Sequence, residues 1–316
     1  MAIKLQLTPK RCLIGLAIIC LLIIIIKLLV ELIRWYLAYR AYQRYETSKL
    51  KVLLETNDNA VPTTRYNVIF FYSHNYKKLP DYFAPGYQIL STYCEQHKYK
   101  LLVIDHSNDT ELISPYWLRV KDLVDLSQQY PESNNLFVYL DLDTCLNPTH
   151  MNVPIEQLIN RMDHLNQKPW DMYVGTDCIA YMNTGGLIVK NTDWSKQLLL
   201  LWWSKYALSR WVYSNAKWTC HTNAGNQCGW ARDGYEQGEL NNIYEQNELD
   251  TRNHLLIMNS SIISNSLIEL DSFIYHFYGS KIELDSFIYY FYGDKNRKPV
   301  YDRLYQQYLE LVQKKI

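Results

Sequence analysis

Residues 136–144 read LFVYLDLDT. Leu136 to Leu140 is a short apolar run with aromatic and β-branched members, the pattern of a strand buried on both faces. It ends abruptly in two carboxylates, Asp141 and Asp143. Alternation along an extended segment would turn both side chains to one face. Two like charges held that close repel and are costly to desolvate. A divalent cation with a taste for hard oxygen ligands, Mn²⁺ or alternatively Mg²⁺, removes that cost and can bridge a diphosphate.

Upstream, YNVIFFY (66–72) reads as a buried strand and LLVID (101–105) as a second strand, separated by a helical stretch from Gly86 to His97. Ser114-Pro115 opens a helix running to about Gln129, with Trp117, Val120 and Val124 on one face. Downstream, 171–174 is a fourth strand, 186–189 a short fifth, and Trp194 to Tyr206 a long apolar helix. This alternation predicts an α/β domain built on a mainly parallel sheet. Such sheets place ligands beyond the carboxyl ends of their strands, here just after Tyr72, Asp105 and Leu140.

Three further segments carry candidate chemistry. From Asp177 to Trp194 a polar turn leads through Asn183-Thr-Gly185-Gly186 into a strand and a capped helix. The glycine pair permits close approach of backbone to a ligand, and Asn183 offers a carboxamide for hydroxyls. Glu236-Gln237 opens a helix after a Gly/Asn/Cys-rich loop, presenting a carboxylate and an amide at a position that favours acids. FIYHFYGSK (273–281) sets His276 after an apolar run, a third metal ligand, with Lys281 close behind for a phosphate.

Composition narrows the function classes. The 316 residues carry 32 basic and 32 acidic side chains, so no basic excess exists to replace phosphate counterions, and a nucleic-acid partner is excluded. An apolar share of 48% argues against disorder. The 28 tyrosines suit a surface that stacks on sugars, or equally a plain compositional bias.

The N-terminal region reads as a membrane anchor. Residues 12–26 are unbroken apolar sequence, extended to Ile33 across Lys27 and Glu31, which pair four apart on one helix face. Lys4, Lys10 and Arg11 before the run favour a cytosolic N-terminus, although Arg34, Arg40 and Arg44 follow it. The rival, a cleaved signal peptide, lacks a convincing cut site after the run. The expected organisation is a cytosolic tail over 1–11, a transmembrane anchor over 12–33, a stem over 34–64 and a catalytic domain over 65–316. That makes a single-pass type II protein facing the Golgi or ER lumen of a eukaryotic cell or of a virus's eukaryotic host. Sequons at Asn108 and Asn259 fit a lumenal domain, and Cys220 and Cys228 flank a loop they could close as a disulfide. No Cys/His spacing suits structural zinc.

Taken in order, the acid pair Asp141/Asp143, the segment Asn183 to Trp194, Glu236-Gln237 and the run His276 to Lys281 resemble the galactosyl/mannosyltransferase family of fungal Golgi enzymes and plant xyloglucan xylosyltransferases. The resemblance covers about Tyr66 to Lys281. Glu236 stands where that family usually carries Asp, and Ser280 where it often carries Cys. The resemblance implies a GT-A fold and a retaining transfer of a hexose or pentose from a nucleotide-diphosphate sugar to a glycan or glycoprotein acceptor. It implies Mn²⁺ on Asp141, Asp143 and His276, Lys281 on the diphosphate, and Asp177, Asn183, Glu236 and Gln237 around the transferred sugar. Two alternatives compete. A haloacid-dehalogenase-type phosphatase also uses an acid pair after a strand, but that strand should open the domain. An inactive membrane-tethered sugar-binding protein would use the aromatic content without the metal.

One feature lies outside the resemblance. Residues 268–281, IELDSFIYHFYGSK, are followed at once by 282–295, IELDSFIYYFYGDK, identical at twelve of fourteen positions. The copies differ at His276 against Tyr290 and Ser280 against Asp294. Only the first retains an imidazole, so the first is expected to dock at the acid pair.

Overall fold

The computed structural model describes residues 66–79, 83–108, 112–176, 182–215, 217–229, 232–258, 263–264 and 273–276, together with Ile25 and Leu29. The chain divides into two units, Met1–Ser48 and Lys49–Ile316. Of the first, only the helical, exposed Ile25 and Leu29 are described. The expected anchor is otherwise outside the described residues, as are the stem, Asp177, Lys281 and the second copy of the duplication. Among the described residues no helix is long and apolar enough to cross a membrane.

In the second unit the chain runs β1 (Asn67–His74), α1 (Phe83–His97), β2 (Lys100–Asp105), α2 (Pro115–Gln129), β3 (Asn135–Leu140), β4 (Thr144–Leu146), α3 (Ile155–Leu165), β5 (Met172–Gly175), β6 (Asn183–Lys190) and α4 (Asp193–Ser204). A hairpin of β7 (Trp211–Ser214) and β8 (Lys217–Cys220) follows, then α5 (Glu236–Glu245), β9 (Leu255–Ile257), β10 (Ile263–Ser264) and β11 (Ile274–His276). Six strands form one sheet in the order β2-β1-β3-β6-β5-β9.

The apolar runs of β1 and β3 are doubly buried because the sheet is covered on both faces there, whereas β2, at the sheet edge, is exposed or half-buried throughout. Along β1, Val68, Phe70 and Tyr72 join one core with α1, α3 and β11, while Ile69 and Phe71 join the other with α2, α4 and α5. Along β3, Leu136, Val138 and Leu140 face the first core, and Phe137 and Tyr139 the second. The period of two thus sorts one continuous run between two layers.

The sheet is mostly parallel, with a correction. The strand expected over 186–189 is the eight-residue β6, and it runs antiparallel to both neighbours, β3 and β5. Asn183 to Gly186 therefore belong to a buried strand and not to a turn. Reversal brings the start of β6 beside the end of β3: Leu140 pairs with Gly186, and Asp141 N–H donates to Gly185 O at 2.8 Å.

Candidate active site

Asp141 and Asp143 do not lie on an extended segment as alternation predicts. The chain turns after Leu140, because Asp141 O accepts both the Thr144 N–H (3.0 Å) and the Thr144 hydroxyl (2.7 Å). Leu142 is drawn into the core between the two acids, which stay partly exposed at the carboxyl end of β3.

The turn delivers the chain into β4, and β4 carries the third expected ligand's strand. β11 pairs antiparallel with β4 in the register Ile274↔Leu146, Tyr275↔Cys145, His276↔Thr144. Phe273 and Ile274 are fully buried and anchor this pairing in the first core, and Phe273 O accepts the Asn147 N–H at 2.9 Å. The backbone of His276 is thus opposite the residue that follows Asp143, and the strand that docks belongs to the first copy of the duplication.

Arg119 on α2 is the central side chain that the sequence reading missed. Its side chain is largely but not fully buried, and the guanidinium lies 2.9 Å from Asp141 Oδ1 and 3.6 Å from Glu236 Oε1. It donates to the Thr184 hydroxyl at 3.2 Å and sits over the Tyr139 ring, 5.0 Å from its centroid. The Tyr139 hydroxyl in turn donates to Asp141 Oδ1 at 2.5 Å. Burial opposes the charge on Arg119, but Asp141, Tyr139, Glu236 and Asp143 together outweigh it and hold the guanidinium firmly protonated.

Glu236 and Gln237 open α5 as expected, and both are buried. The Thr184 hydroxyl donates to Glu236 Oε1 at 3.1 Å, and Gln237 Oε1 accepts the Thr184 N–H at 3.2 Å. Burial pushes the Glu236 carboxyl up, and the nearby Arg119 only partly offsets this. Its Oε2 is buried without a hydrogen-bond partner. Asn183 is also buried, with Oδ1 accepting the Gly185 N–H at 2.7 Å, so that oxygen shapes the strand start.

Two glycines set the entry to α5. Gly234 has φ +95°, a conformation costly for other residues, and its carbonyl accepts the Trp117 indole N–H at 2.9 Å. A Cβ on Gly238 would meet the Arg232 carbonyl oxygen at 2.2 Å, so only glycine fits the first turn. The Cys220–Cys228 disulfide is formed in the loop leading here. Ser114 precedes α2 with Pro115 in its first turn, but makes no side-chain cap.

A second polar cluster sits beyond β1 and β2. His106 Nε2 lies 3.0 Å from both carboxylate oxygens of Asp122, and Ser73 Oγ donates to Asp122 Oδ2 at 2.5 Å. Asp122 is one turn from Arg119, so α2 serves both clusters along the sheet edge.

The donor set suits a hard divalent cation. Two partly exposed carboxylates flank one turn, the strand bearing an imidazole residue is paired beside them, and an unpartnered carboxylate oxygen lies behind. Among the described residues no group of three or more acidic, His or Cys side chains is already gathered as a metal site. The described part of His276 is its backbone.

No family model matches the chain, and no curated protein matches it. Among solved structures it is similar to a glycosyltransferase involved in the glycosylation of the major capsid of PBCV-1, at 18% identity over 66% of this chain and 91% of that one, with a TM-score of 0.46. It is also similar to mouse xyloside xylosyltransferase 1 in its apo form, at 9% identity over 67% and 97% of the two chains, with a TM-score of 0.37. Likenesses this distant leave the function to the side chains.

Proposed function

We propose that this chain is a metal-dependent, retaining glycosyltransferase of GT-A type, moving a hexose or pentose from a nucleotide-diphosphate sugar to a glycan or glycoprotein acceptor. The observation that carries the reading is the β4–β11 register, which sets the backbone of His276 opposite Thr144, next to Asp143. Four sequence segments far apart in the chain converge here: the acid pair, the start of β6, the start of α5 and β11.

Asp141, Asp143 and His276 would hold Mn²⁺, and Lys281 would meet the diphosphate. The cation, when bound, neutralises negative charge that grows on the leaving diphosphate. Glu236, Gln237 and Asn183, with Asp177, would surround the transferred sugar. In the transfer the anomeric C–O bond to the diphosphate breaks and the bond to the acceptor oxygen forms on the same face. The acceptor's hydroxyl proton passes to the departing phosphate oxygen. Gln237 is a poor nucleophile, which favours this front-face route over a covalent intermediate; a glycosyl adduct on Glu236 or Asp177 would overturn it.

Calorimetry with UDP- and GDP-sugars, with and without Mn²⁺, tests the reading. Metal-dependent nucleotide-sugar binding is expected. Sugar binding without metal or nucleotide dependence would favour the inactive sugar-binding alternative. The anchor, type II topology and lumenal location belong to the same proposal, supported by the 12–33 apolar run and by the disulfide, a bond typical of oxidising compartments.

A further inference from the structure

Arg119 occupies the carboxylate that the proposed cation needs. Its Nη2 lies 2.9 Å from Asp141 Oδ1, its Nη1 meets the Thr184 hydroxyl and Glu236, and the guanidinium lies over the Tyr139 ring. Its Nε is buried without a hydrogen-bond partner, so the guanidinium is placed by its acids and not by a fully satisfied polar shell. A guanidinium cannot shed its proton in a protein, so the positive charge is permanent. A divalent cation arriving at Asp141 meets a resident monovalent one, with like-charge repulsion at short range inside a partly desolvated site.

Resting on the metal-dependent reading above, we infer that Arg119 is a positioning residue that competes with the divalent cation for Asp141, so that the protein binds Mn²⁺ weakly by itself and takes it up together with the diphosphate. The diphosphate shifts the balance by two routes. It supplies cation ligands of its own, and it presents anionic oxygens that suit a guanidinium freed from Asp141. Arg119 also keeps Asp141 and Glu236 from repelling one another while no cation is present.

The test measures Mn²⁺ binding by the full chain, by electron paramagnetic resonance of free Mn²⁺ or by calorimetry, with Mn²⁺ alone and with Mn²⁺ plus UDP or GDP. Arg119→Met, neutral and of similar length, should bind Mn²⁺ alone about tenfold or more tightly than the unmodified chain. Arg119→Lys, which keeps the charge, should stay close to the unmodified chain. The gap should narrow when UDP or GDP is added. Arg119→Met leaves two acids without their counter-charge, so Arg119→Met with Glu236→Gln provides a charge-balanced second variant judged by the same criterion. If the unmodified chain binds Mn²⁺ with a nucleotide, yet neither variant binds Mn²⁺ alone more tightly than it does, competition by Arg119 is rejected and the metal-dependent reading stands. If no form binds Mn²⁺ with or without either nucleotide, the metal-dependent reading falls and the inference with it.

Discussion

Asp143 is partly exposed on a turn, so replacing it removes a proposed metal ligand without opening the core. Asp143→Ala should abolish nucleotide-sugar hydrolysis and transfer while leaving the circular-dichroism spectrum and thermal midpoint near their original values; full turnover in Mn²⁺ would reject the acid-pair reading. Glu236 makes a contrasting prediction. Because burial raises its carboxyl above the unfolded value of about 4.3, the folded state binds the proton more tightly than the unfolded chain. Stability should therefore fall as pH rises from that value through the higher folded one. Glu236→Gln should flatten that slope in thermal unfolding across pH, and match or exceed the unmodified chain at pH 7. Both acids were legible in the sequence because each stands at the boundary of an element, Asp143 just past a strand and Glu236 at a helix start. Arg119 was not. One of two cations in YWLRVKDLVDL, it reads as solvated, yet Tyr116, Leu123 and Leu126 share its helical stripe and pack into the core. A charge on an apolar stripe was the available signal.

Among the elements, the helix over 115–129 was legible to the residue, because its proline start and apolar stripe agreed, and the apolar helix expected over 194–206 lies within two residues of the observed 193–204. The direction and length of β6 were not. Periodicity marks a buried strand but carries no sign for parallel or antiparallel pairing, and the Asn-Thr-Gly-Gly start mimics a turn. The turn after Leu140 was equally hidden, since Thr144 closes it through contacts that alternation does not foresee. The start of α5 depends on Gly238, so Gly238→Ala should destabilise the fold by about 1–3 kcal/mol in chemical denaturation, the range for forced overpacking. Loss of donor binding should exceed what the residual folded fraction explains, because Glu236 and Gln237 move with that turn. For β11, the first-copy docking predicts that His276→Ala loses Mn²⁺-dependent binding and Tyr290→Phe keeps it. Equal behaviour of the two variants would reject docking of the first copy.

At the scale of the whole molecule, length and composition suit one globular domain with an appendage, and the strand-helix alternation marks the α/β class; the two covering layers emerge only in the structure. What they could not give is how residues far apart in sequence close on one sheet edge, because side-chain pattern is local and strand register is not. The topology proposal has its own test. In a secretory host Asn108 or Asn259 should acquire a glycan, and added protease should reach the domain only after the lumen is opened; a protease-accessible domain in sealed microsomes would overturn the type II assignment.

The pairing of β11 with β4 also sets an order of events at the ribosome. Every strand of the six-stranded sheet is complete by Ile257, whereas Phe273 and Ile274 are made later and fill a seat in the first core. A nascent chain that has emerged only that far can form the sheet and the Arg119 cluster, but it leaves an apolar seat uncovered beside β4. Until β11 arrives, that seat is open to chaperones or to aggregation. The duplication doubles the supply of the sequence that fills it, and the copy with the histidine is the first of the two to be synthesised.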